Sequence, residues 1–185
     1  MLRLFSLLLS LAGILFFATV AAGALVFTGS PDACVDRAVT PSAEASSALV
    51  SAWRDFESAA VAGGAEITVT ELQATSRGVE YIEEKDVPVE DLQVYFCPDG
   101  TAEASGKIVV AGLKGKIVVR GTLDLGGDKP GIQIDEIQAG NLPSALAKPA
   151  IDLILNTGNF RTLDLDVRLT SIEYGDGAAT VTGEP

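Results

Sequence analysis

Histidine is absent from the 185 residues, and cysteine occurs only twice, at Cys34 and Cys97. The missing histidine removes the usual general base near neutral pH and the commonest transition-metal ligand. Basic residues are also scarce. Arg3 is one of the 13 lysines and arginines, and all 25 acidic residues lie beyond residue 31. The chain after the first segment therefore sets 12 basic residues against 25 acidic ones, a net charge of −13. Such a surface excludes nucleic acid and electrostatic docking on anionic head groups as its main business.

Charge is missing altogether from Leu4 to Phe27. At about 1.5 Å per residue this run makes a helix of roughly 36 Å, enough for a hydrocarbon core of about 30 Å. Arg3 precedes it and Asp32, Asp36 and Arg37 follow, so the positive-inside rule places the N-terminus in the cytoplasm and the remainder outside. A cleaved signal is the competing reading, with Leu4 to Val20 as its apolar region and Ala22-Gly23-Ala24 as its cleavage site. Continuation of the run through Leu25-Val26-Phe27 favours an uncleaved single-pass anchor in the cell membrane. Pro31-Asp32-Ala33 lacks the residue types that precede a lipid-modified cysteine. The expected organisation is an anchor at 1–30, a linker at 31–40 and an extracytoplasmic domain at 41–185. Two cysteines in an exported domain read as one disulfide, Cys34 with Cys97, or else as two unpaired thiols.

Within the domain, Thr40 reads as the N-cap of a helix from Pro41 to Ala62. Its apolar stripe is Ala45, Leu49, Trp53, Phe56 and Ala60, and Gly63-Gly64 ends it. A short strand follows around Ile67 and Val69. Capping signals at Thr68 or Thr70 then open a second helix from Glu71 to Gly78, with looser structure through Asp86. From Pro88 the apolar period becomes two. Strands are expected at Val89–Phe96, through Ala102–Val110, at Ile117–Leu125, through Ile132–Ile137, at Thr162–Ile172 and at Ala179–Thr182. Pro98-Asp99-Gly100, Lys114-Gly115, residues 126–131 and Gly175-Asp176-Gly177 read as the turns. A third helix is expected from Pro143 to Asn156. Strands joined by tight turns give an antiparallel sheet. The class is α+β, a bent sheet of about six strands on two or three helices.

Chemical motifs fail one by one. Gly100 to Lys107 is too long by a residue for a phosphate loop, and Ile108 stands where Ser or Thr is needed. Ser144 and Lys148 lie four apart on the third helix, whereas a Ser-Lys hydrolase usually needs three and an oxyanion hole. Glu80, Glu83, Glu84, Asp86, Glu90 and Asp91 lack the alternating ligands and glycine of a calcium loop, so they read as a solvated surface. Asp164 and Asp166 share a strand face with Arg168 and read as ion pairing. No catalytic residues, cofactor or metal ligands are expected, and the domain reads as non-enzymatic.

One constellation carries family information: the helix start Thr68-Val69-Thr70-Glu71-Leu72; Val89-Glu90-Asp91-Leu92-Gln93-Val94-Tyr95-Phe96; the turn Pro98-Asp99-Gly100; Ala104-Ser105-Gly106-Lys107-Ile108; Gly140-Asn141-Leu142-Pro143; and Gly175-Asp176-Gly177. This order resembles small bacterial membrane-anchored envelope proteins with a tubular-lipid-binding-like domain, including the mycobacterial phospholipid-binding envelope family. It covers about residues 65–183. The resemblance implies a bent sheet wrapped round a helix, with acyl chains in an apolar groove between them. The groove candidates are Ile117, Val119, Leu123, Ile134, Leu146, Leu153, Ile154, Leu163, Leu165 and Val167. The same residues, read by alternation alone, equally fill an ordinary core, giving an interaction or scaffolding domain with no lipid. The chain is too short for a two-module lipid tube, and its negative charge opposes anionic lipids.

Overall fold

The computed structural model describes residues 32–110, 113–125, 130–140 and 167–185. The segment Leu4–Phe27, the expected helix from Pro143 and its Ser144 and Lys148, the strand half carrying Asp164 and Asp166, and the groove candidates Leu146, Leu153, Ile154, Leu163 and Leu165 lie outside the described residues. Among the described residues no helix is long and apolar enough to cross a membrane.

Helix α1 spans Ala43–Gly63 and is capped by Ser42, whose side chain accepts from the Ala45 amide. Thr40 and Pro41 therefore precede the helix rather than opening it. The reason is tertiary: the Ser42 amide itself donates to Ser76 Oγ at 3.0 Å, which fixes where the chain turns in. Strand β1 (Ala65–Thr70) follows, then α2 (Glu71–Glu84). Thr70, not Thr68, caps α2, in a reciprocal box with Gln73. The helix also runs on to Glu84 past Gly78. Leu92 crowds the missing Cβ of that glycine, and Ile82 is buried one turn on.

The remaining strands are β2 (Val89–Phe96), β3 (Ala102–Val110), β4 (Leu113–Asp124), β5 (Gly131–Ala139), β6 (Arg168–Gly175) and β7 (Ala178–Glu184). They form not one sheet but two antiparallel ones, ordered β1-β7-β6 and β2-β3-β4-β5. Val110 pairs with Leu113, so Lys114 and Gly115 belong to β4 rather than to a turn. At Pro98-Asp99-Gly100 the turn is as expected: Gly100 has φ 84°, and Asp99 Oδ1 accepts from Thr101.

Helix α1 covers the three-stranded sheet. Phe56 and Ala60 meet Ile67, Val167, Leu169 and Val181, with Trp53 at the margin. Gly183 permits this approach, since a Cβ there would meet Phe56 Cζ at 2.7 Å. Helix α2 instead closes the open edge of β2. Thr75, fully buried, accepts from the Val94 amide at 2.9 Å and donates to its carbonyl at 3.3 Å. Glu71 accepts from the next outward amide, Phe96, at 2.9 Å. Edge groups that would invite another strand are thus consumed within the chain.

Candidate functional site: two faces of the four-stranded sheet

Alternation gives the β2–β5 sheet two chemically distinct faces. The pairings Gly106↔Ile117↔Ala139 and Ala104↔Val119↔Ile137 align the apolar face. Ile108, Ile117, Ile137 and Ala139 form its buried cluster, with Val119 and Ile134 partly buried against it. Past Arg120 the register shifts against β5, so that Ile134 opposes Gly121 and Ile132 opposes Leu123. This bulge bends the sheet and returns Ile134 to the apolar side. Gly121 is what lets the strands close there, because a Cβ would lie 2.2 Å from Gln133 O.

Four of the groove candidates, Ile117, Val119, Leu123 and Ile134, therefore share one face. Leu123 and Ile134 are half-buried, and neighbouring Ile132 is 39 % exposed. Val167 sits in the other cluster, with Phe56 and Ala60. The two sets meet along β4. Leu125 packs on the Val167 cluster, the Leu123 amide donates to Tyr174 Oη at 3.3 Å, and the Tyr174 ring lies 6.0 Å from that of Phe96. Burial raises the Tyr174 phenol above the ordinary tyrosine range, so it is neutral near pH 7.

The opposite face is polar and is crossed by residues 32–42. These residues have no regular secondary structure, as a linker would, yet they are tied down at each step. The Asp32 carbonyl accepts from Arg120 Nη2 on β4. Cys34 is bonded to Cys97 with Cα atoms 5.8 Å apart, and its amide donates to Glu103 on β3. The Arg37 carbonyl accepts from Tyr95 Oη on β2, and Val39 exchanges two hydrogen bonds with the Gln93 amide. Arg37 also grips Glu71 with two nitrogens, each at 2.7 Å, and reaches Asp176 in the β6–β7 turn. Hydrogen bonds to these two carboxylates raise the Arg37 guanidinium above its ordinary range. The Tyr95 phenol is also raised, first by burial and then by the nearby Glu71 charge.

Between strap and sheet lies an open cleft of roughly 280 Å³, lined by Val35, Arg37, Asp91, Gln93, Lys107 and Lys116 among others. None of the described groove candidates lines it. Its cations have partners: Lys107 pairs with Asp91 at 2.6 Å, and Arg37 is held as above. Four members of the acidic run are likewise paired, with Glu80 and Glu84 on Arg77, Glu90 on Lys114 and Asp91 on Lys107 as above.

Sequence reading missed Glu103 and Arg120. Glu103 has no exposure at all; its Oε2 accepts from the Cys34 amide and from Arg120 Nε, both at 2.8 Å, while Oε1 has no partner. In sequence both are ordinary polar positions in alternating strands. The burial of Glu103 and the placing of Arg120 depend on a segment 69 residues away in sequence from Glu103 folding back over them. No family model, no curated protein and no solved structure matches the chain.

Proposed function

We propose that this chain is a membrane-tethered extracytoplasmic module that holds an acyl chain against the apolar face of its four-stranded sheet, without catalysis. The observation that carries the reading is the row Ile117, Val119, Leu123 and Ile134 on one bent face, with its Leu123 end half-buried beside exposed Ile132. A lipid tail gains about 25 cal/mol for each Å² of apolar surface it removes from water there. The likeness to tubular-lipid-binding-like envelope domains supports the same reading, as does the N-terminal apolar run, which on this reading anchors the chain with the domain outside. The wall it uses is the bent four-stranded sheet β2-β3-β4-β5.

A non-catalytic interaction domain with a solid core is the second reading. It is favoured by the near-complete burial of Ile108, Ile117, Ile137 and Ala139. Photoactivatable fatty acid fed to cells that express the full chain separates the two. Crosslinks in the peptides bearing Val119 to Ile134 are expected, reduced when Leu123 is changed to Lys. Crosslinks confined to Leu4–Phe27 would establish the anchor alone and leave the solid-core reading standing.

A further inference from the structure

Glu103 is the most deeply buried carboxylate among the described residues, and one of its oxygens has no hydrogen-bond partner. Leaving a buried acceptor unpaired forfeits its hydration with nothing in return, and such an atom calls for an ion, a water or a redox role. Beside this carboxylate stand the two sulfurs. Ligand atoms of Cys34, Cys97 and Glu103 all lie within 4.8 Å of one another. In the disulfide form the sulfurs are spent on each other and Oε1 has nothing to bind.

We propose that the same three residues form a site for a borderline-soft divalent cation such as zinc when the disulfide is reduced, so that disulfide and metal are alternative fastenings of the strap. Two electrons and two protons pass from a dithiol to the Cys34–Cys97 bond. The reductant leaves as a disulfide, and the cation then displaces both thiol protons to solvent. Zinc takes thiolate at about 2.3 Å and carboxylate oxygen at about 2.0–2.2 Å, which places ligand atoms about 3.5–4 Å apart, so once the S–S bond is cut the two sulfurs must part for the ion to enter between them. Three protein ligands leave one position for water.

The surroundings fit this assignment. Oε2 is already held by Arg120 Nε and the Cys34 amide, which orients the carboxylate and leaves Oε1 as the ligand. Two thiolates and a carboxylate balance a divalent cation and the Arg120 guanidinium, so the filled site is neutral overall and tolerates its burial. Cys97 is fully buried whereas Cys34 is partly accessible, so reductant and metal enter from the strap side.

The full chain in lipid nanodiscs, reduced with a phosphine and titrated with Cd²⁺ or Zn²⁺ alone, tests this. The expected result is a thiolate-to-cadmium ultraviolet band saturating at one ion per chain, lost in Cys97→Ser. Glu103→Gln is expected to weaken the ion roughly tenfold or more, since it removes a ligand where even supporting groups cost 10–100-fold. Trypsin is expected to cut after Arg37 in the reduced, metal-free chain and to be held off again by zinc. Should Glu103→Gln fail to fold, Glu103→Asp, which withdraws the oxygen by one methylene, is expected to show the same weakening. Absence of the band, equal affinity in the Glu103 variants, or loss of folded structure on reduction that zinc does not restore would each overturn the assignment.

Discussion

Asp91, Glu80 and Asp99 are single carboxylates whose protonation the fold opposes. Lys107 holds Asp91 below the ordinary range, Ser46 and then Arg77 do so for Glu80, and Thr101 does so for Asp99. In the unfolded chain these groups return to about 3.9 and 4.3. A depressed folded-state value means the contribution is complete above the unfolded value and is lost as pH falls through the folded one. The urea midpoint is therefore expected to drop between pH 7 and pH 3, with the loss setting in below about pH 4. In Asp91→Asn combined with Glu80→Gln, the midpoint at pH 7 should be lower and its fall toward pH 3 smaller. An equal fall in variant and parent would count against this account. Lys107 carries the opposite sign: Asp91 raises it, so its share fades only as pH climbs past the ordinary lysine value.

Elements here are positioned by what fills the space beside them, and glycines report this directly. At Gly121 a Cβ would collide with the Gln133 backbone carbonyl at 2.2 Å, in the bulge that bends β4 against β5. At Gly78 the obstacle is the end of the Leu92 side chain at 2.7 Å, which is free to rotate away. Gly121→Ala is thus expected to cost about 1–3 kcal/mol, because backbone must move. Gly78→Ala lies near zero, since about 1 kcal/mol of helix propensity offsets the repacking of Leu92. Chemical denaturation of both variants measures the contrast. Equal losses would mean that the bulge is not rigid. The α2 extension past Gly78 follows from the same packing, which is why propensity alone ended that helix a turn and a half early. Likewise Ser42 replaced Thr40 as the cap because Ser76, from another helix, holds its amide.

At the scale of the molecule, the strap links the four-stranded sheet, α2 and the β6–β7 turn. It touches β4, β3, β2, α2 and the β6–β7 turn within residues 32–42. The Cys34–Cys97 bond closes a loop of 63 residues. Removing that closure is worth about 4 kcal/mol in the chain-entropy account. The double variant Cys34→Ser, Cys97→Ser is expected to lose about that much unfolding free energy, and hydrogen exchange should rise first along residues 32–39. Unchanged protection of the Cys34 and Val39 amides would show that the polar contacts suffice without the bond. Because the apolar run ends at Phe27, a fastened strap also holds the domain within a few residues of the bilayer on the anchored reading.

The residue order alone determined the class and most of the strands, because those depend on local period and turn chemistry, while it left Cys34 and Cys97 open between a bond and two free thiols until the fold brought them together. It also placed Ile117, Val119 and Leu123 on a common face, since alternation along one strand survives any tertiary arrangement, whereas Ile134 joins them only through the bulge opposite Gly121. What only the tertiary structure decided is where surfaces turn inward. The strands divided into two sheets because α2, not another strand, satisfies the β2 edge through Thr75 and Glu71. A stretch that reads as a linker became a strap, and buried Glu103, held by half-buried Arg120, became its anchor. Those outcomes rest on contacts between residues tens of positions apart, and no window of sequence contains them.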